Sequence, residues 1–309
     1  MKIIIVGKKQ QMHWPENVFS CAKRYHNTKL FLYNEWHGIS SSIIGHRRNA
    51  ARLAKLIQHF KPDVILYISC EFIPIEYYQI LDKFPQLKRV GWAADNFGYK
   101  TPKPRYLDLC CVFDTRCLNV LKHFKCEGAY MPLCADEHTF QYHPYTSKKK
   151  PVFVGAANPQ RVATLKALKT PCVIWGNNWP VSELKQHEVH NKKVSHKIIS
   201  SLYEQYLPFN MTYSSNVKNG LNFRIFEIGT TGNVIISNDS KDLPKCYNKS
   251  EVLSYHTAKQ LDKILSSVIK HPEAYAAIAK KGYKKTMCKH TFDTRVQELF
   301  QLIQQKFGL

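Results

Sequence analysis

Short apolar runs rich in β-branched residues alternate along this chain with segments whose apolar side chains recur every three or four positions. The runs predict strands, and the recurring pattern predicts helices. Such an alternation is typical of α/β domains built on parallel sheets. In the first half, strands are predicted at residues 2–6, 63–68, 89–93, 109–113 and 128–131, and helices at 49–60 and 75–84.

Residues 142–151 (YHPYTSKKKP) break both patterns, and we interpret them as a linker between two domains. The alternation then begins again. Strands or extended segments are predicted at 152–154, 172–175, 209–213, 233–237 and 252–255, and helices at 160–168, 198–206, 223–230, 258–269 and 272–287. Thr291 precedes a last helix with a single apolar stripe. We therefore predict an N-terminal domain (1–145), a C-terminal domain (146–290) and a terminal helix (291–309).

The charge balance points to an anionic partner. The chain has 45 Lys and Arg against 23 Asp and Glu, a formal net charge of +22. Nucleic acid, an anionic membrane surface and phosphorylated small molecules all fit this charge. A nucleic-acid-binding protein would interleave aromatic and basic residues or carry a groove-reading module, and we find neither pattern. We therefore expect no nucleic-acid partner, although this class remains the main alternative.

Other motifs are absent from the sequence. No window approaches the ~20 apolar residues of a membrane span, and the first apolar run is too short for a signal peptide. The ten cysteines form no CxxC pair, so we interpret them as reduced, buried thiols. There is no GxG dinucleotide fingerprint and no GxxxxGK[ST] phosphate loop. We expect a cytoplasmic protein with neither metal nor cofactor.

In parallel sheets, ligands bind beyond the carboxyl ends of the strands. In this chain, the loops that follow the predicted strands are polar. Gly155 follows one predicted strand, and Arg161 lies at the start of the next helix, where its guanidinium could bind a phosphate. Gly176, Asn178 and Trp179 follow the next strand. Trp179 either stacks on a nucleobase or covers the core, and the sequence leaves both open.

The segment from Lys218 to Gly232 is the richest in polar groups. In a helix over Phe223–Thr230, Arg224 and Glu227 are neighbours at i and i+3. Either they form a surface ion pair that contributes ~0.2–0.5 kcal/mol to stability, or Arg224 binds a diphosphate and Glu227 accepts hydrogen bonds from ribose hydroxyls. The helix entry and exit supply further candidate ligand-binding residues, namely Asn219, Asn222, Thr231 and Gly232.

The block NGLNFRIFEIGTTGNVIISND at 219–239 resembles the donor-site signature of CgeB-like (spore-maturation type) glycosyltransferases of the GT-B superfamily. VGAANPQR at 154–161, WGNNW at 175–179 and IAKKGYKKTMCKHTFDTR at 278–295 resemble other elements of that family in the same order. GWAAD at 91–95 and LCAD at 133–136 match more loosely. The resemblance therefore covers the C-terminal half well and the N-terminal half thinly.

The resemblance implies two Rossmann-like domains that face a cleft, with the terminal helix crossing back to the first domain. The C-terminal domain would bind a nucleotide diphosphate sugar and the N-terminal domain the acceptor. Glu227 matches the carboxylate that such enzymes place on the ribose. Many retaining relatives carry a second glutamate eight positions earlier, where this chain has Asn219.

Glycosyl transfer leaves negative charge on the departing diphosphate, so cationic and amide groups aimed at it are the main requirement. We predict that Arg161 and Arg224 supply this charge without a metal. Asp95 is a candidate general base if the reaction inverts the anomeric configuration; the alternative is that it only stabilises a turn after a strand. His13 is a second candidate on the acceptor side. We expect a role in polysaccharide biosynthesis.

The acceptor would be a cell-envelope or other glycan, a lipid-linked molecule or a protein. Three lysine clusters, at 148–150, 192–193 and 280–285, either contact the anionic inner face of a membrane or serve only solubility. A catalytically silent nucleotide-sugar-binding protein is the remaining alternative.

Overall fold

The computed structural model describes residues 1–9, 13–34, 39–96, 98, 102–148, 150–212 and 217–309, and the side chains of its second helix from Ile44 onward. The chain forms two compact units. Unit 1 contains Met1–Pro132 and Phe292–Leu309, and unit 2 contains Leu133–Thr291. Lys149, in the predicted linker, and Tyr213, in a predicted extended segment, lie outside the described residues.

Both units alternate strands and helices, as the hydrophobic pattern predicts. The strands are β1 (Lys2–Lys8), β2 (Asn27–Tyr33), β3 (Val64–Ile68), β4 (Lys88–Ala93), β5 (Leu109–Val112), β6 (Glu127–Tyr130), β7 (Pro151–Val154), β8 (Val173–Trp175), β9 (Glu188–His190), β10 (Leu207–Pro208), β11 (Ile236–Asn238) and β12 (Leu253–Tyr255). The helices are α1 (Trp14–Ala22), α2 (Ile39–Phe60), α3 (Glu76–Gln79), α4 (Cys117–His123), α5 (Pro159–Lys166), α6 (His196–Gln205), α7 (Phe223–Thr230), α8 (Leu243–Cys246), α9 (Ala258–Lys270), α10 (Ala276–Lys289) and α11 (Phe292–Phe307).

Unit 1 is built on a sheet of six parallel strands in the order β2-β1-β3-β4-β5-β6. Every residue of β3 is buried, which explains its unbroken apolar sequence VILYI, since a parallel sheet is covered on both faces. The strand order reverses direction between β1 and β3. In open α/β sheets, ligands bind beside such a switch point, at the carboxyl ends of the strands.

Unit 2 carries four parallel strands in the order β10-β7-β8-β9 and a second parallel pair, β11-β12. A parallel bridge between Asn210 and Ser237 joins the two groups, and the Asn210 amide donates to the Ile236 carbonyl at 2.8 Å. The loops that follow β7, β8, β10 and β11 therefore lie along one edge of this unit.

The boundary between the units falls at 132/133, whereas the sequence analysis places it at 145/146. The intervening segment is held by unit 2. The Ala135 amide donates to His290 at 2.9 Å, the His143 amide donates to Thr231 at 3.0 Å, and Phe140 packs on Tyr203 with ring centroids 6.1 Å apart. The loss of periodicity at 142–151 marks surface chain, because most of that segment is exposed or half-buried.

The terminal helix α11 packs on unit 1, as the predicted fold class requires. Its apolar stripe is buried at Val296, Leu299, Phe300 and Ile303. Phe300 meets His26 edge to face with centroids 4.7 Å apart, and the Gln297 amide donates to the Tyr25 hydroxyl at 3.2 Å. Burial of this stripe is the reason that the chain returns to its first unit.

Helix α7 is fixed by unusually close packing against α10. A Cβ on Gly229 would lie 2.1 Å from Thr286 Oγ1, so no larger residue fits at this crossing without displacing a helix. The Thr286 hydroxyl in turn donates to the Gly282 carbonyl at 2.8 Å within α10. Helix α7, which carries Arg224 and Glu227, is thereby held in place.

The cysteines are free, and nine of the ten are buried. Cys288 is the exception and is exposed. The Sγ atoms of Cys70 and Cys110 are 3.8 Å apart, and burial raises the pKa of both thiols. None of the ten cysteines is paired in a disulfide, and the prediction of buried thiols holds for nine of them. Within the part of the chain that the structure describes, no helix is both long and apolar enough to cross a membrane.

Candidate functional site

The loops after β7 and β8 are locked together at the carboxyl edge of the unit 2 sheet. The Gly155 amide donates to the Trp175 carbonyl at 2.8 Å, and the Trp179 indole donates to the Gly155 carbonyl at 3.0 Å. Gly176 has a φ of +146°, and a Cβ there would lie 1.9 Å from the Gly155 oxygen. Glycine is therefore required at 176, and Gly155, Gly176 and Trp179 lie together, as predicted for ligand-binding loops.

Trp179 covers the core, which settles the alternative that the sequence leaves open. Its side chain is buried, with 3 % of the residue exposed, and it packs edge to face on Phe153 with centroids 5.9 Å apart. A ring buried in this way has no face on which a nucleobase can stack. We therefore correct the assignment of Trp179 from base contact to core packing.

Arg161 connects three segments at the same edge. The Asn158 side chain caps α5 by accepting the Arg161 amide at 3.0 Å. The guanidinium donates to the Ala156 carbonyl at 2.8 Å and to the Met211 carbonyl at 2.9 Å, and it lies 5.2 Å above the Phe153 ring. Arg161 therefore places positive charge at the edge and holds the loops after β7 and β10 together.

Asn178 lines a cavity of about 450 Å³ beside α5. Its φ of +63° lies in the left-handed region, which asparagine tolerates better than most residues. An ion pair of 2.9 Å between Lys166 and Glu183 closes one part of the cavity wall. The remaining lining residues are Ala157, Asn158, Pro159, Val162, Ala163 and Pro180. Arg224 and Glu227 do not line this cavity.

The pair of Arg224 and Glu227 on α7 joins a half-buried cation to a buried carboxylate, so it is not an ion pair between two exposed side chains. The Glu227 side chain is 3 % exposed and that of Arg224 24 %, and Arg224 Nη1 donates to Glu227 Oε2. Burial alone would lower the pKa of the Arg224 guanidinium, but Glu227 and the nearby Tyr203 raise it. Oε1 of Glu227 makes no hydrogen bond within the described residues. Oε2 of Glu227 thus orients the partly exposed Arg224 guanidinium, and Oε1 of Glu227 is available to accept a hydrogen bond.

The predicted residues at the two ends of α7 differ in their surroundings. Asn222 precedes the helix, and its Oδ1 is buried with no hydrogen-bond partner in the described chain. The backbone carbonyl of Asn219 accepts the Asp242 amide at 2.9 Å. A buried acceptor without a partner is costly, so Asn222 marks a polar position beside the start of α7.

At the helix exit, Thr231 and Gly232 have structural roles. Thr231 is fully buried, and its hydroxyl donates to the Ile228 carbonyl at 2.8 Å and accepts the Asn233 amide at 2.9 Å. Gly232 has a φ of +79°, and a Cβ there would lie 2.6 Å from the His143 carbonyl oxygen. These two residues therefore end the helix, and their contact with a ligand stays a prediction.

In unit 1, the two acceptor-side candidates follow different strands. His13 stands before α1 with a φ of +48°, its side chain is 68 % exposed, and its Nδ1 lies 3.6 Å from Glu16. Asp95 follows β4, accepts the Asn96 amide at 2.8 Å, and has a pKa raised by burial. Among the contacts of the described residues, none joins His13 to Asp95.

Glu71 is a candidate that the sequence analysis missed. It follows β3, beside the switch point of the sheet, and only 8 % of the residue is exposed. Its Oε1 accepts the Ala94 amide at 3.0 Å, while its Oε2 is buried and unpartnered among the described residues. Burial, with a further contribution from Asp95, raises the pKa of Glu71 to about 8. The signal in the sequence is an acidic residue three positions after an entirely apolar strand.

Comparison with known proteins agrees with this architecture. Residues 160–301 match the model of the family "Glycosyl transferase-like". The solved structure of Anabaena HepE in complex with UDP is similar to this chain, with 10 % identity, 99 % of this chain and 100 % of that chain covered, and a TM-score of 0.69. Sucrose-phosphate synthase from Thermosynechococcus elongatus is similar as well, with 9 % identity, 100 % of this chain and 99 % of that chain covered, and a TM-score of 0.71. A glycosyltransferase from Rickettsia africae is also similar (10 %, 98 % of each chain, 0.71). No curated protein gives a significant match.

These likenesses confirm the predicted GT-B fold. The family match concerns the broad glycosyl transferase-like group, so the narrower CgeB-like type stays a prediction. The matched residues include α5, α7 and α10, which hold Arg161, Arg224 and Glu227. The family model covers less than half of the chain, so the comparisons show a glycosyl transferase-like segment at residues 160–301 in a chain with the GT-B fold.

Proposed function

We propose that this protein is a glycosyltransferase that takes its sugar from a nucleotide diphosphate sugar bound by unit 2, and transfers it to a cell-envelope or other glycan, a lipid-linked molecule or a protein. The observation that carries the proposal is the pair of half-buried Arg224 and buried Glu227 on α7, inside the residues that match the family model. HepE, which shares the fold, is known in complex with UDP-glucose.

Arg224 is the proposed diphosphate ligand. A quarter of its side chain is exposed, and Glu227 keeps its guanidinium charged and oriented. The first backbone amides of α7 add donors at the same helix end. Glu227 Oε1, left over by Arg224, would accept the ribose hydroxyls, and Asn222 would supply a polar contact.

The chemistry follows from this arrangement. The oxygen of the acceptor hydroxyl bonds to the anomeric carbon, the bond from that carbon to the diphosphate oxygen breaks, and its electron pair leaves with the diphosphate. The proton of the acceptor hydroxyl passes to a base on the acceptor side, for which Asp95 is our candidate. Fixed cations and amides lower the energy of this charge because they need no reorganisation as it develops. Arg161 contributes through the field at the sheet edge and by holding Gly155 and Met211 in place.

On the acceptor side, we propose Glu71 and Asp95 in unit 1. Ionisation of Asp95 raises the pKa of Glu71, so the two carboxyl groups interact. A carboxyl with a pKa near 8 can either donate or accept a hydrogen bond near neutral pH, which suits binding of an acceptor hydroxyl. His13, exposed and distant in sequence, remains a candidate for an outer acceptor contact.

A thermal-shift screen of uridine, guanosine, adenosine and cytidine diphosphate sugars tests donor use. We expect one nucleotide class to stabilise the protein by ~2.7 kcal/mol at a hundred times its dissociation constant. Absence of any such shift, together with stabilisation by short DNA or RNA that falls steeply with salt, would favour the nucleic-acid alternative. A donor that binds but is neither hydrolysed nor transferred would indicate a silent nucleotide-sugar-binding protein.

Turnover is expected not to require a metal ion. The proposal assigns the leaving diphosphate to Arg224, Arg161 and helix amides, and the described residues include no group of three potential metal-ligating side chains. With the donor identified in the screen, initial rates should agree within about twofold with EDTA and with added Mg²⁺ or Mn²⁺. A rate that EDTA abolishes and Mn²⁺ restores would contradict this assignment.

A further inference from the structure

Helix α2 presents a strongly basic face. Its 22 residues include no aspartate or glutamate. Four cations of the described part, Arg47, Arg48, Arg52 and Lys55, are exposed, whereas Leu53 is buried in the core. We call these four residues together with Ile44 the basic face.

The members of the basic face project from one side of the helix. At about 100° per residue, Arg47, Arg48, Arg52 and Lys55 fall within an arc of about 140°, and Ile44 lies near its middle. Among the described residues, no carboxylate pairs with any of the four cations. Arg52 donates only to the side chain of Asn49, at 3.1 Å. The positive charge of this face is therefore not neutralised within the described chain.

An apolar side chain in the middle of the basic face distinguishes between anionic partners. Ile44 is 52 % exposed. On a nucleic acid, Ile44 would face phosphates and water. On a lipid surface, it would be buried at the boundary between the headgroups and the acyl chains. Cations flanking an inserted aliphatic residue are the arrangement by which a helix lies on an anionic bilayer.

We propose that the basic face of α2 docks this protein on an anionic lipid surface. The sequence analysis offered the lysine clusters at 148–150, 192–193 and 280–285 for such a contact. Within those clusters, Lys150 is paired with Glu188 at 3.4 Å. The basic face combines unpaired charge with an exposed aliphatic side chain, and this combination favours it over those clusters. The proposal does not depend on the identity of the sugar donor.

Vesicle co-sedimentation of the full chain tests the proposal, with 30 % phosphatidylglycerol in phosphatidylcholine against pure phosphatidylcholine at 150 mM salt. We expect binding to the anionic vesicles only. Arg47→Ala with Arg48→Ala should lower the affinity about 30-fold, and Ile44→Asn about fivefold. All these positions are exposed, so the variants should keep the wild-type circular dichroism and melting temperature.

Lys280→Ala with Lys281→Ala provides the matched control, because it removes the same charge from an exposed part of α10. We expect this variant to bind the vesicles within about twofold of wild type. An equal loss in this control, or binding to pure phosphatidylcholine, would overturn the proposal. Failure of the anionic vesicles to bind, with a short RNA duplex bound through Arg47 and Arg48 instead, would overturn it in favour of nucleic acid.

Discussion

Arg224→Gln is expected to lower the affinity for the nucleotide-sugar donor by at least about 100-fold, because it removes a charge-assisted fork aimed at the diphosphate. The same change leaves the buried Glu227 side chain without its ion-pair partner. We expect that to cost about 3–5 kcal/mol of the free energy of unfolding. Isothermal calorimetry for donor binding and urea unfolding for stability measure the two effects separately.

A second Arg–Glu pair with the same i, i+3 spacing, its glutamate 35 % exposed, provides a control. Arg295 and Glu298 on α11 pair in unit 1, with Arg295 6 % exposed. Arg295→Gln should also destabilise the fold while leaving the donor affinity unchanged. If Arg224→Gln does not fold, Arg224→Met with Glu227→Gln removes both charges and avoids a lone buried carboxylate. A folded variant at Arg224 that binds the donor as wild type does would refute the diphosphate assignment.

Glu71→Gln is expected to stabilise the protein increasingly as the pH rises. The native pKa of Glu71 is raised from 4.5 to about 8, chiefly by burial. Below pH 4.5 the carboxyl is neutral in both the folded and the unfolded chain. Between pH 4.5 and 8 the unfolded chain releases this proton while the folded chain retains it, so the wild type loses stability across this window. Three and a half pKa units correspond to about 5 kcal/mol.

The measurement is the difference in free energy of unfolding between Glu71→Gln and wild type, from urea titrations at pH 4.5 and pH 8.5. We expect this difference to grow by about 5 kcal/mol between the two. The charged or titratable groups next to Glu71 are Asp95, Lys103 and Cys70, so Asp95→Asn should reduce the growth. A pH-independent difference would show that Glu71 is ionised in the native state.

The same variant also tests function. If Glu71 binds the acceptor, Glu71→Gln should gain stability above pH 7 and lose transfer while donor affinity is unchanged. Functional sites commonly retain such destabilising groups because their chemistry requires them. A variant that is more stable and equally active would leave Glu71 as a structural carboxyl and remove it from the proposed acceptor site.

Most elements were predictable because their signals are local. The predicted bounds of α7 match the observed Phe223–Thr230, and those of β3 and β4 differ by one residue at the start. Five elements were missed, namely α1, α4, α8, β2 and β9, and β10 lies just before the extended segment predicted at 209–213. Helix α1 contains Pro15 near its start, and β9 has only three residues, so neither gives enough periods to be recognised.

What the sequence determined by itself was the alternation of strands and helices, the apolar stripe of the last helix and the segment around Arg224, since each depends on neighbours a few positions away. The tertiary structure alone decided burial. It placed Trp179 under the Gly155 loop, buried Glu227 beneath Arg224, and set Glu71 against the Ala94 amide. Desolvation depends on groups brought together from distant parts of the chain, so the position of Glu71 after an apolar strand could not reveal that the pKa of its carboxyl is raised.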